Sequence, residues 1–157
     1  MGRPQYEFSK VVTATPTISA SPDYSSGDLI GTLMTFAAAS DNARLGSIES
    51  VLLTDLAAQN AAIDVIFFDS NPDATTFTDN AALDIADADL TRICAIVKLA
   101  AADYSAFADN SAVQVGAQGR KFALNGSEIL YACLVSRGAP NYASTSDLKL
   151  TVGLHLD

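Results

Sequence analysis

The sequence predicts an all-β domain: an antiparallel two-sheet β-sandwich of jelly-roll topology with an extended N-terminal arm. Three observations lead there. Leu148, Leu150, Val152, Leu154 and Leu156 alternate with Lys149, Thr151, Gly153, His155 and Asp157, the period-two pattern of a half-buried antiparallel strand. About eight short apolar segments of this kind are separated by turn residues. No regular strand-helix alternation, the mark of an α/β fold, runs through the chain. The expected division is an arm at residues 1–22 and a single sandwich domain at residues 23–157.

Bulk properties narrow the possibilities. A chain of 157 residues fits one domain, which buries roughly two thirds of the surface its unfolded form exposes. Hydrophobic residues make up 49% and charged residues 17%, which excludes disorder and leaves few charges to cover a monomer. Part of the apolar excess is therefore expected to be hidden in an oligomer. The net charge of −9 and pI near 4.3 argue against nucleic-acid binding, which relies on clustered cations. Neither a signal core nor a run of ~18 uninterrupted apolar residues is visible, so synthesis in a cytoplasm and no membrane partner are expected. Cys94 and Cys133 each lie within apolar runs and read as small buried hydrophobes rather than a disulfide framework.

Taken in order, residues 1–22 are punctuated by Pro4, Pro16 and Pro22, while Val11, Val12, Thr13, Thr15, Thr17 and Ile18 favour extended backbone. They make either the first edge strand of the chain's own sheet or an arm that reaches a neighbour. Tyr24 to Asp28 is turn chemistry, and Leu29 to Phe36 reads as a strand buried on both faces or central in its sheet. Beyond the polar loop Ser40 to Gly46, Ile48 begins a strand that gives way to a turn or short helix around Ala57 to Ala61. Ile63 to Phe68 is a buried strand stopped by Asp69 to Pro72.

An acidic loop follows, and then Arg92 to Leu99, a strand with Ile93, Ala95, Val97 and Leu99 on one face. Ala100 to Asn110 is a helix or a loop with one helical turn. Val113 and Val115 belong to a strand, Gly116 to Gly119 to a turn, and Phe122 to Leu124 leads into an Asn125-Gly126 hairpin turn. Ile129 to Val135 and Leu148 to Leu156 complete the set.

Residue chemistry offers little for catalysis. His155, the single histidine, stands on the polar face of the last strand with no nucleophile signature around it. Ser47, Ser50, Ser127 and Ser136 lie outside any G-x-S-x-G context. Asp84, Asp87 and Asp89 could offer oxygen ligands to calcium, but the spacing lacks an EF-hand's glycine and terminal glutamate. Asp87 equally suits a helix N-cap followed by an acidic first turn. Asp64, Asp69 and Glu128 are the carboxylates from which a glycosidase pair would be drawn, and sequence does not supply their separation. Asn125-Gly126-Ser127 matches a glycosylation sequon but reads more simply as a turn. No catalytic residue, metal ligand set or cofactor is expected.

One pattern of fragments points further. Tyr24-Ser-Ser-Gly-Asp-Leu-Ile-Gly31, Gly46 to Asp55 (GSIESVLLTD), Asp64 to Pro72 (DVIFFDSNP), Asp79-Asn80-Ala-Ala-Leu83 with Asp87-Ala-Asp89, and Leu130-Tyr131 occur in this order. Together they resemble the small virion structural proteins of tailed bacteriophages that decorate or cement the head. The resemblance covers roughly residues 24 to 155.

It implies a non-enzymatic protein on the outer surface of the virion head, a homo-oligomer, in particular a trimer, bound to the major capsid protein. Residues 1–22 would provide the attachment, with Tyr6, Phe8, Val11, Val12 and Ile18 as contact residues. A tail or baseplate part is the alternative within the same class. Outside it stand a carbohydrate- or calcium-binding sandwich module centred on residues 73–90, and a hydrolase.

Overall fold

Alternation, length and burial together explain the elements of the structure, a computed structural model that describes residues 8–19, 23–37, 45–124, 128–142 and 144–157. Nine strands form: β1 (Phe8–Ala14), β2 (Leu29–Phe36), β3 (Leu45–Asp55), β4 (Ile63–Phe68), β5 (Ile93–Leu99), β6 (Ser105–Ala106), β7 (Ser111–Ala123), β8 (Leu130–Ser136) and β9 (Leu148–Leu156). Among the described residues they are joined by one short helix, α1 (Asp87–Leu90), and a single 3-10 turn at Ala101–Asp103. No helix among the described residues is long and apolar enough to cross a membrane.

The strands divide into two antiparallel sheets, in the orders β1-β9-β3-β7-β6 and β2-β8-β4-β5. The pairings β4 with β5, β3 with β7, β2 with β8 and β1 with β9 are nested one inside the next. This is the wrapping of a jelly roll, and the expected fold class holds.

Between the sheets lies the main core. Ile48, Val51 and Leu53 of β3, with Leu150, Val152 and Leu154 of β9, pack among Ile63, Val65 and Phe67 of β4 and Ala132 and Leu134 of β8. β9 buries every second residue from Leu148 to Leu156, as its alternation requires. β5 turns Ala95, Val97 and Leu99 inward and leaves Ile96 and Lys98 exposed. Ile93, expected on the inward face, instead packs outside the main core and Cys94 packs against it, because the register with β4 shifts between Phe67 and Phe68.

β4 and β8 are different, because every residue in both is buried. Their outward residues Ile66, Phe68, Tyr131, Cys133 and Val135 form a second apolar cluster, with Phe77, Leu83, Ile85 and Ile93 packed against it. The connection from β4 to β5 thus folds back as a third layer over the four-stranded sheet. Phe77 meets Phe68 edge-on, with centroids 6.1 Å apart and planes at 85°, an arrangement the ring quadrupoles favour.

Several expectations change at this level. Residues 8–18 are integrated into the sandwich: Phe8 to Ala14 pair in register with Leu156 to Leu150, and Ile18 is in the core. The edge-strand alternative therefore describes them better than a detached arm. β2 is an edge strand, not a central one. Its start is buried because the acidic loop runs beside it: Leu29 N–H donates to Ala81 O at 2.9 Å, Asn80 N–H to Leu29 O at 2.9 Å, and Leu83 N–H to Gly27 O at 3.0 Å.

The turn expected at Gly116 to Gly119 is instead a bulge within one continuous strand. Four steps along β7, Gly116 to Arg120, face two along β3, Ser50 to Ile48. Gln118 and Gly119 take positive φ values of 55° and 62° to accommodate the excess.

Other expectations hold in one of their alternatives: a turn, not a helix, follows β3 at Leu56 and Ala57, and the one helical turn within Ala100 to Asn110 is the 3-10 turn, with β6 after it. Asp87 does not cap α1, since Ala86 holds the N-cap position with no side-chain bond and Asp87 lies in the first turn. The Asn125-Gly126 turn and its sequon, most of the loop Ser40 to Gly46, and residues 1–7 and 20–22 of the N-terminal segment lie outside the described residues.

Candidate functional site

The residues expected to form the attachment surface separate. Val11 is 69% exposed on the open strand β1, Val12 is half-buried against the core, and Ile18 is 1% exposed within it. Phe8 enters the β1–β9 ladder through its backbone, and Tyr6 lies outside the described residues. β1 pairs with β9 on one side, and no described strand pairs with its other side. Such an edge is open to a strand from another chain.

The aspartates of the acidic loop also separate. Asp89 is fully buried; its Oδ2 accepts Thr75 Oγ1–H at 2.6 Å and Ala74 N–H at 3.1 Å, while its Oδ1 faces Arg92 Nη1 at 3.3 Å without hydrogen-bond alignment. Arg92 Nη1 also donates to Asp73 Oδ1 at 2.6 Å and to Asn71 O. Asp89 is therefore a staple inside the loop, whereas Asp84 and Asp87 are exposed. Among the described residues, no group of three or more His, Cys, Asp or Glu side chains is placed to hold a metal.

Two carboxylates that sequence reasoning did not single out do comparable work. Asp79 accepts from Gly31 N–H at 2.6 Å, Ser19 N–H at 2.6 Å and Tyr24 Oη–H at 2.8 Å, and the Ser19 side chain also donates to it. Partial burial opposes its charge, but these donors outweigh that cost and hold its pKa below the usual carboxylate value. Asp55, at the end of β3, is 0% exposed and accepts N–H groups of Ala57 at 2.9 Å, Gln59 at 2.8 Å and Asn60 at 3.1 Å. Here burial prevails and raises the pKa despite the three donors. A lone Asp in either sequence context carries no local signature of such a role.

The remaining chemical candidates are similarly engaged. Asp64 is paired with Arg137 at 2.8 Å. Burial raises the Asp69 carboxyl. His155 is on the outward side of β9, 3.8 Å from Asp157 Oδ1. Cys94 and Cys133 are free thiols, and burial pushes both up to about 12. Burial likewise raises Tyr24, Tyr104 and Tyr142.

A further surface lies where the sandwich edges approach, between β5 and the bulge of β7. Ile96, Lys98, Val115, Gln118 and Arg120 contribute to a cleft of about 350 Å³ there. Val11 and Phe107, 69% and 64% exposed, are the most exposed large apolar side chains described.

No protein-family model matches the chain, and no curated protein sequence matches it. Among solved structures, it is similar to a chain from the native virion of Kashmir bee virus at neutral pH, with 12% identity and a TM-score of 0.33 over 98% of this chain and 71% of that one. The architecture above rests on strand pairing, and this likeness adds no residue correspondence to it.

Proposed function

We propose that this chain is a non-enzymatic virion structural protein that binds and stabilises a tailed-phage head as a decoration protein. One observation carries the mode of attachment: β1 is an edge strand with which no described strand but β9 pairs, and Val11 projects from it. Such an edge adds to a partner's sheet through main-chain hydrogen bonds, while an exposed apolar side chain supplies the contact that selects register. The partner is the major capsid protein, and the decoration protein acts as a homo-oligomer, taken as a trimer.

The fragments from Tyr24 to Tyr131 support the virion assignment by resemblance. Chemistry is consistent with it, because the buried carboxylates Asp55 and Asp89 serve backbone and loop donors. Repetition of one modest contact over a lattice gives firm retention through effective concentration.

The test uses purified protein and undecorated heads of the phage that encodes it. Val11→Glu, and separately deletion of residues 2–7, should weaken head binding by about tenfold or more while leaving the melting temperature within a few degrees. Binding unchanged by both variants would refute attachment through this edge. Virion cryo-electron microscopy that placed the protein in the tail would refute the decoration role.

A further inference from the structure

We infer that the β5–β7 cleft is a self-association site that receives the acidic α1 region of a second copy. The inference begins with the distribution of charge. Among the described residues, Arg92, Lys121 and Arg137 have carboxylate partners, whereas Lys98, Arg120 and Lys149 make no ion pair. Lys98 and Arg120 line the same cleft, whose lining holds no acidic residue, while Asp64 stands opposite Lys98 in the strand register and the Glu49 carboxylate lies beside Gly119.

Backbone geometry maintains the cleft. The β7 bulge immediately precedes Arg120 and bends the strand where it would otherwise continue its ladder with β3. Gln118 holds a left-handed backbone that a non-glycine residue rarely adopts, and bulges re-aim the side chains beside them. Ile96, 44% exposed, provides an apolar surface next to the two cations.

The complementary surface is on the same molecule. Asp84 and Asp87 are exposed and make no ion pair among the described residues, and Leu90, 50% exposed, stands at the end of the same short helix. Two carboxylates and one leucine therefore match two cations and one isoleucine. Opposite charges brought together at such a contact fix partner and register more than they add affinity. Because the patches differ, the contact is head to tail, and it generates a ring if the rotation closes. It is separate from β1, so its failure leaves head attachment untouched and the reverse also holds.

Sedimentation velocity of the full chain, from ~5 to ~200 µM, should reveal association that weakens between about 0.05 and 0.5 M salt. Lys98→Glu with Arg120→Glu, and separately Asp84→Lys with Asp87→Lys, should each weaken association by about 30-fold or more. The chain carrying all four substitutions should regain it. All six positions of charge and apolar contact are at the surface, so melting curves should be nearly superimposable. A wild type that stays monomeric at ~200 µM, association indifferent to either pair, or a folded four-substitution chain without recovery would overturn the inference.

Discussion

Asp79→Ala should lower stability by about 3 kcal/mol at neutral pH, because Asp79 ties the loop of the third layer to two other parts of the fold. The substitution removes the acceptor of Gly31 N–H at 2.6 Å and Tyr24 Oη–H at 2.8 Å, both part-buried bonds, and of the more exposed Ser19 N–H. Hydrogen bonds to a charged acceptor contribute about 1.5–3 kcal/mol each, and counting only the two part-buried ones at the lower value gives about 3 kcal/mol. For a chain of this length that is a melting-temperature drop of roughly 6–12 °C.

The pH dependence has a definite sign. Asp79 has a depressed folded-state pKa, so its stabilisation is complete above the unfolded value of about 3.9 and is lost as pH falls through the folded value. Urea unfolding of wild type and Asp79→Asn between pH 7 and 2.5 measures this directly. The gap should be widest near neutrality and should close in acid. A gap that stays constant across the range, or a neutral-pH loss for Asp79→Ala below about 1 kcal/mol, would refute the assignment.

Three other perturbations read different parts of the fold. Gly31 has φ of 76°, and a Cβ there would stand 2.7 Å from Pro16 Cβ, so Gly31→Ala should cost about 3 kcal/mol or more by chemical denaturation. Gly27, with φ of 101° and open space around the added atom, should cost about 1–2 kcal/mol for the strain alone; equal losses at the two sites would contradict the clash. Phe77→Ala should cost about 2 kcal/mol, less than a fully buried phenylalanine, and should admit protease cleavage between residues 69 and 92; a loop as resistant as before would mean that Phe77 does not hold the layer down. With both thiols at about 12, native protein at pH 8 should react with a thiol reagent far more slowly than the unfolded chain, and rapid labelling of Cys94 would refute the burial argument.

How far the sequence could be read follows from the range of each interaction. β9 was legible because one face is buried and the other is not, so period two is written into consecutive residues. β4 was legible as core, yet the reason that both its faces are buried lies in Phe77, Leu83 and Ile85, beyond its own span. The same separation hid the position of β2, whose edge is screened by Asn80 to Leu83.

Gly116 to Gly119 has the composition of a turn, and only the neighbouring β3 ladder turns it into a bulge. The carboxylates were hardest to read. Asp87 and Asp89 are equivalent in composition, but one lies in the exposed first turn and the other is sealed beneath Thr75 and Arg92. The cations of the candidate self-association site come from two different strands, so no local motif announces them.

The nested strand pairing also orders assembly in time. Among the nested pairings, β4 and β5 close the shortest loop, β3–β7 and β2–β8 enclose it, and β1–β9 spans nearly the whole described chain. Loop-closure entropy places the outermost pairing last, and the transition state for folding should have φ-values near zero in β1. During synthesis the N-terminal strand must wait, unpaired, for β9 to emerge. A newly made chain therefore presents an unoccupied β9 edge and a loose β1 at the same moment, which makes strand exchange with another nascent copy a competing outcome of folding in a crowded cell.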